Sequence, residues 1–404
     1  MVNGLPIVYS TSLEAEEGIE IAEYLDALLP EEQTIVAEDR FLGKNAIRIT
    51  HPEGMGLWNY ELTFSRGTVI LSGGSCWAMR KAAQLLVEDL ASSRVAIGYT
   101  RTGSVEGEFL FPIAEGADLR ILDDNIWDYS KDTIPPVWKE IGYDCRDANR
   151  GPQFAQMVRA YMPDVLTIQE YNVHMDNVFY PLIAEYGYVT ATTGLDGKLI
   201  PGGVEGWNNT PIFYDKNKVE LLDAQYCLYT PTMWSNHGSK SFTSAVFRRL
   251  SDQKVFAVIN THLWWKSDKA QPGSSQARAS QVRLMIAQAQ IIKGKYNCPV
   301  FVTGDMNAEE NTVPIQQFIT SGFKPCYKVA TSYGDNQNGH HICGPNDGYS
   351  RVSRRKGETR EVGAIDHCFI WNEGEAKVVV FDCLTPYFTV PLTDHYPNLI
   401  DAKL

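Results

Sequence analysis

The sequence predicts an α/β protein in two parts: a small α/β unit over residues 1–115 and a larger body of strands and helices over 118–404. Three observations lead there. At 404 residues the chain is long for one hydrophobic core. Strand-like and helix-like segments alternate along most of it. Strand-like segments of the second part repeatedly end in an acid, an amide or an imidazole. The clearest is VFVTGDMN, where four residues suited to a buried strand run into Gly304, Asp305, Met306 and Asn307.

In the first part, LPIVYS reads as a strand. LEAEEGIEIAEYLDALL has helical apolar spacing through Ile19, Ile21, Leu25 and Leu28. NAIRIT, WNYELTF and TVILSG read as short strands, and CWAMRKAAQLLVEDLA as a second helix. The Gly73–Gly74 pair suits the tight strand-to-helix turn before that helix. No paired carboxylates here suggest independent chemistry. Residues 103–118, GSVEGEFLFPIAEGAD, read as the connection.

The second part opens with the strand LRILDDNIW, the helix RGPQFAQMVRAYMPD and the strand VLTIQEYN. NTPIFYD, TSAVFRRL and KVFAVINTHLWW follow, then a helix through ARASQVRLMIAQAQIIKGK. PVFVTGDMN, VPIQQFITSGF, AIDHCFIWN, AKVVVFDCL and DHYPNLIDAKL complete it. Residues 331–362, polar and rich in Gly and Asn, read as a long loop.

Composition bounds the function. A hydrophobic share of 44% and a charged share of 21% describe an ordinary globular protein. No apolar run approaches the roughly 20 residues that span a bilayer. The N-terminus lacks the basic start and apolar segment of a secretory signal, which predicts a cytoplasmic protein if this start is native. The net charge of −13 argues against broad electrostatic capture of nucleic acid. That charge is uneven: residues 1–115 carry 8 basic and 17 acidic side chains, and the remainder 28 and 32. The second part is nearly balanced, so an anionic substrate is compatible with it. The eight cysteines contain no CxxC, and Cys298, Cys368 and Cys383 adjoin strands, which points to buried reduced thiols.

The strand ends carry the chemistry. LRILDDN reaches Asn125, VLTIQE reaches Glu170, and FAVINTH reaches His262. VFVTGDMN reaches Asp305 and Asn307, AIDH holds Asp366, and LTDHYP holds Asp394 and His395. Each has an ordinary alternative: a turn starter, a solvated edge acid, a satisfied core histidine. Six together point to side chains converging from separate strand ends, as α/β sheets build sites. In an extended chain Asp305 and Asn307 point the same way, into one cleft.

The series Asn…QE…THL…GDxN…IDH…DHYP resembles the motif series of the endonuclease/exonuclease/phosphatase superfamily. That superfamily includes deoxyribonuclease I-like nucleases, apurinic endonucleases, neutral sphingomyelinases, inositol polyphosphate 5-phosphatases and deadenylases. The likeness covers about residues 118–404 and is most specific at GDMN and TDHYP. It implies a four-layered α/β sandwich, two packed mixed sheets flanked by helices, with the site at one rim. The first part resembles the non-catalytic α/β domain of several glycoside hydrolase families, on TVILSGGSCWAMRKAAQLL.

The same likeness implies roles. Glu170 is the principal ligand of Mg²⁺ (or Mn²⁺), with Asn125 supplying a neutral oxygen or contacting phosphate, and Asp394 assisting or holding a second ion. His395 is a general base or phosphate stabiliser, oriented by Asp366. Asp305 positions or deprotonates the attacking water, Asn307 orients phosphate, and His262 donates to phosphate or leaving group. Arg278, at the start of a helix, is a candidate phosphate contact as well as a solubilising residue. Trp264, with Trp127, Trp207 and Trp265, suggests apolar walls around a lipid, sugar or base. His174 and His237 have no context, and the loop pair His340–His341 reads as a solvated pair in preference to a zinc site. His367 follows Asp366 on a strand and faces the other way. The basic run RVSRRKGETR is a solvated loop or the edge of a charged-substrate site.

The expected function is therefore a Mg²⁺-dependent phosphoesterase, a phosphodiesterase in preference, on a small or lipid-like phosphoester. Inositol 5-phosphatases carry a PxWCDR-type element where this chain reads VGAIDHCF, which sets it apart from that subgroup. Two alternatives stand beside it: a nuclease or deadenylase-like enzyme, and a catalytically silent carbohydrate- or partner-binding protein. The oligomeric state is open.

Overall fold

The computed structural model describes residues 4–10, 15–52, 55–56, 58–74, 76–92, 96–105, 110–128, 146–191, 209–229, 240–334, 364–371, 374, 376–384, 393, 395 and 397–404. In its first hundred residues, β1 (Ile7–Tyr9), β2 (Ile35–Ala37), β3 (Ala46–Thr50), β4 (Asn59–Ser65), β5 (Thr68–Gly73) and β6 (Thr100–Ser104) form one sheet, ordered β2-β1-β3-β5-β4-β6. Helices α1 (Ala15–Leu28) and α2 (Cys76–Ala91) cover it. Ile21 and Leu25 of α1 are buried with Ala78, Ala82 and Leu86 of α2 and with Ile47, Leu62 and Leu71 of the sheet. The strand β6 occupies the start of the expected connection. Its sequence, TRTGS, has no apolar alternation because it is an edge strand with exposed and half-buried positions only.

The remaining strands make two sheets. One holds β7 (Leu119–Asn125), β8 (Val165–Gln169), β9 (Tyr188–Thr190), β10 (Ile212–Asp215), β16 (Ser332–Tyr333), β18 (Lys377–Cys383) and β19 (Asn398–Lys403), ordered β16-β18-β19-β7-β8-β10-β9. The other holds β11 (Val219–Leu228), β12 (Ser241–Arg249), β13 (Val255–His262), β14 (Val300–Asp305), β15 (Lys324–Pro325) and β17 (Asp366–Trp371), ordered β11-β12-β13-β14-β17-β15. Both mix parallel and antiparallel pairs. The ten-residue β11 escapes the sequence reading because, at an edge, most of its side chains are only half-buried.

Strand alternation builds the layers. Ile121, Val165, Ile212 and Ile400 of the first sheet meet Phe247, Val258, Phe301 and Ile370 of the second. On the outer face of the second sheet, Ala257, Ile259, Val300 and Val302 pack on α5 (Ser274–Tyr296) and α6 (Val313–Thr320) through Val282, Met285, Ile315 and Phe318. On the outer face of the first, Leu122, Leu166 and Phe213 pack on α3 (Asp147–Tyr161) and α4 (Val173–Ala184) through Phe154, Met157, Phe179 and Ile183. This is a four-layered α/β sandwich. The apolar cluster of its α3–α4 layer also takes in the core of the N-terminal sheet.

Arg120 ties the connecting segment down. Its guanidinium grips Asp401 through Nε at 2.6 Å and Nη2 at 2.7 Å, and donates to the carbonyls of Phe111, Pro112 and Tyr161. The Phe111 ring stacks on Tyr161 with centroids 4.6 Å apart. Among the described residues five cysteines are free thiols, and Cys298, Cys368 and Cys383 are buried in strand contexts. No described helix is long and apolar enough to cross a membrane.

Candidate active site

Register places the polar strand ends side by side. In the second sheet β13 runs parallel to β14 with His262 opposite Asp305, and β17 runs antiparallel with Asp366 opposite Asp305. Three strands thus end in a row of His262, Asp305 and Asp366. In the first sheet Asn125 ends β7 opposite Gln169 of β8, and Glu170 follows directly. The two rims meet: Asn125 Nδ2 donates to Asp305 Oδ2 at 3.0 Å and to Glu170 Oε1 at 3.3 Å.

Gly304 explains why β14 needs a glycine before its acid. Its φ is +133°, and a Cβ there would lie 2.0 Å from the carbonyl oxygen of Thr261. Only glycine lets β14 approach β13 so closely beside the site. Three of the six described non-glycine residues with positive φ also sit here: Trp127, Glu170 and Asn307. Strain of this kind persists where surrounding structure over-determines it. Asn307 shares the cleft with Asp305, though for a reason other than strand alternation. The strand stops at Asp305, Asn307 turns left-handed at φ +46°, and its N–H donates to Asp305 Oδ1 at 2.8 Å.

These residues line a cleft of about 460 Å³ that contains Glu170, Lys240, His262, Asp305, Asn307 and His395, with Asp128, Asn209, Trp265 and Ile365 at its walls. His262 Nε2 lies 3.3 Å from Asp305 Oδ2 and 3.8 Å from Glu170 Oε1, and it touches Lys240 Nζ. Glu170 Oε2 accepts from the Asp128 N–H at 2.8 Å. Asp128 is steadied by Asn172 at 3.0 Å, the residue that also caps α4. His395 Nδ1 lies 3.0 Å from Asp366 Oδ2. The His395 N–H donates to Thr393 Oγ1, whose hydroxyl in turn donates to the Asn125 carbonyl.

The electrostatics separate the carboxylates. Burial pushes Asp305 and Glu170 up, but electrostatic attraction to His262, Lys240 and His395 outweighs it and holds both below the ordinary carboxylate range. Asp366 goes the other way: burial raises it and only partly yields to His395. Burial also lowers Lys240 to about 8, against the opposing pull of Glu170 and Asp305. Behind the rim, burial lifts Asp123 to about 7 although Thr167 and Gln169 donate to it.

Two triads can hold a cation: Glu170, His262 and Asp305, and Asp305, Asp366 and His395, each with its ligand atoms within 4.8 Å of one another. The donor chemistry fits a divalent ion, since Glu170 and Asp305 are ionised hard oxygens in one pocket.

Several placements differ from the sequence expectations. Asn125 turns its amide nitrogen to the carboxylates, and its oxygen accepts from the Trp127 N–H at 3.0 Å. Trp264 is 4% exposed, donates its indole N–H to Ser274 Oγ, and lies outside the cleft lining; its neighbour Trp265, 59% exposed, lines the cleft instead. Arg278 is 7% exposed and spends its guanidinium on the carbonyls of Trp264 and Lys266, so it braces the loop after His262 rather than facing the cleft. His367 packs away from the site and bonds the Ala308 carbonyl at 2.7 Å. Asp394, Trp207, His237, His340, His341 and the basic run 351–360 lie outside the described residues. Sequence reasoning missed Lys240, which no motif marks. It also missed Asp128, whose only signal is its place three residues after Asn125.

The layered sandwich is the fold of solved endonuclease/exonuclease/phosphatase proteins. No family model matches the sequence, and no curated protein does. Solved structures do match. One is an endonuclease/exonuclease/phosphatase protein from Bacteroides vulgatus, 21% identical, covering 71% of this chain and 98% of that one, with a TM-score of 0.52. A mannosyl-6-phosphatase of Bacteroides thetaiotaomicron is 17% identical, covering 71% and 100%, with a TM-score of 0.53. The human Nocturnin catalytic domain is 20% identical, covering 72% and 96%, with a TM-score of 0.50.

Proposed function

We propose that the protein is a Mg²⁺-dependent phosphoric ester hydrolase, a phosphodiesterase acting on a small or lipid-like phosphoester by attack of water. One observation carries the reading. Asp305 stands in register between His262 and Asp366 while Asn125 reaches it from the opposite sheet, so both sheets deliver acid, amide and imidazole to one point. The catalytic part is residues 118–404, whose share of the chain, about 71%, equals the share covered by the solved structures. Residues 1–115 are an accessory unit.

Glu170 and Asp305 would hold the ion, and Mg²⁺ suits them because both are hard, ionised oxygens. When bound, such an ion neutralises phosphate charge and polarises the phosphoryl group. His395 is the proton acceptor for the attacking water. Asp366, on Nδ1, fixes the tautomer and stabilises the imidazolium that forms. Asp305 is the poorer base, because the cations around it favour its ionised form. Lys240 presents positive charge, and His262 stands beside it in the cleft, where phosphate oxygens would sit. Asn307 orients the same oxygens from its left-handed turn. Trp265 at the lip supports a substrate with an apolar or ring-bearing group. It also favours the second reading, a nuclease-like enzyme that stacks bases.

The test is hydrolysis of bis-p-nitrophenyl phosphate with and without Mg²⁺, beside a panel of nucleic acids, lipid phosphodiesters and sugar phosphates. Wild-type turnover that needs the ion and vanishes in Glu170→Ala and His395→Ala is expected. Turnover no higher than the variants' across the whole panel would leave a binding protein as the better account.

A further inference from the structure

Two consecutive peptide units just after β7 are held from both sides. In the first, which joins Ile126 to Trp127, the carbonyl accepts from Arg150 Nη1 at 2.5 Å and the N–H donates to Asn125 Oδ1 at 3.0 Å. In the second, which joins Trp127 to Asp128, the carbonyl accepts from Arg150 Nη2 at 2.9 Å and the N–H donates to Glu170 Oε2 at 2.8 Å. One guanidinium therefore stands behind both of the N–H groups that meet the amide and the acid of the cleft.

A trans peptide is planar, with its carbonyl and its N–H pointing in opposite directions. Fixing the oxygen fixes where the N–H points. A guanidinium suits the task because its donors stand in a rigid fork, whereas those of an ammonium rotate at the end of a flexible stem. Arg150 is itself anchored. It is the fourth residue of α3 and fully buried, it bonds Asp147 Oδ1 through Nη2 at 2.5 Å, and it lies 5.7 Å from the centroid of the Trp127 ring. Between the two peptide units Trp127 is left-handed, with φ +58°. A residue with a side chain adopts that backbone at a cost, so an outside hold is needed to keep it. The hold is passed on: with its oxygen on the Trp127 N–H, Asn125 turns Nδ2 to Asp305 Oδ2 and Glu170 Oε1.

We propose that Arg150 is a positioning residue. By gripping two successive carbonyls it aims the Trp127 and Asp128 N–H groups, which set the Asn125 amide and the Glu170 carboxylate in the cleft. For its effect on turnover the proposal rests on the hydrolase reading above.

The experiment follows amide hydrogen exchange in the full-length chain by NMR and needs no substrate. Trp127–Asp128 is the only Trp–Asp step in the sequence and Asp123–Asp124 the only Asp–Asp step. Nitrogen-labelled Asp combined with carbonyl-labelled Trp, or with carbonyl-labelled Asp, therefore singles out the Asp128 or the Asp124 amide. Asp128 reports the N–H on Glu170, and Asp124, inside β7, is the reference for the sheet. Arg150→Met should speed exchange at Asp128 by about tenfold or more beyond any change at Asp124. Arg150→Lys, which keeps the charge but not the fork, should show a smaller excess in the same direction; it serves if Arg150→Met fails to fold, as judged by thermal unfolding. On bis-p-nitrophenyl phosphate at saturating Mg²⁺, Arg150→Met should lose about tenfold or more in kcat with KM within about threefold. Equal acceleration at both amides, or none, would make Arg150 a structural residue and overturn the assignment while leaving the hydrolase reading intact. Full kcat in a variant whose Asp128 amide has come loose would overturn it as well. A wild type that hydrolyses no phosphoester, with exchange quickened at Asp128 alone in the variant, would uphold the positioning role and remove only the hydrolase reading.

Discussion

Replacing Asp366 by asparagine should lower kcat about a thousandfold and leave KM within about threefold. The geometry sets the size. Asp366 Oδ2 sits 3.0 Å from His395 Nδ1 in a buried setting. With charge centres about 4 Å apart and an effective dielectric near 20, the carboxylate stabilises an imidazolium by about 4 kcal/mol. Each 1.36 kcal/mol is a factor of ten, which gives roughly three decades, within the range of general acid–base catalysis. Asparagine keeps the shape and one acceptor but not the charge, so the loss belongs to the transition state rather than to binding. Initial rates on bis-p-nitrophenyl phosphate at saturating Mg²⁺ measure it. The double variant with His395→Ala should be no more than about threefold slower than His395→Ala alone, because the pair acts as a unit. The reasoning fails if Asp366→Asn retains a tenth or more of wild-type kcat, or if the two losses multiply.

Arg120→Met should destabilise the protein by about 3–5 kcal/mol, since it strands Asp401 as a buried charge; Arg120→Met with Asp401→Leu should recover part of that, as read from urea unfolding midpoints. Asp123 gives a pH signature. Its folded pKa is raised to about 7, so its contribution to stability is fully present below the unfolded value near 4 and is lost as the pH climbs to 7, a change of up to about 4 kcal/mol. Asp123→Asn should therefore gain on wild type between pH 5 and pH 8, and parallel unfolding curves at the two pH values would exclude the effect.

Much of the site was legible because strand ends declare themselves. A buried apolar run that stops at Glu170, His262 or Asp305, or starts at Asp366, changes character within one residue, and that change survives in one dimension. Short, nearly continuous apolar runs likewise announce β7, β8, β13, β14 and β17, the strands that bring those side chains to the rim. What only the tertiary structure decided depends on partners distant in the chain. Lys240 enters the cleft because β12 pairs with β13, Trp265 rather than Trp264 faces it because Ser274 and Gln281 of α5 hold Trp264 inward, and Arg278 turns to the carbonyls of that same loop. The orientation of the Asn125 amide is fixed by Trp127 on one side and by carboxylates 45 and 180 residues away on the other. Local sequence specifies which groups stand at the ends of strands. Which atom each presents is set by hydrogen bonds that exist only once two sheets and a helix have packed together.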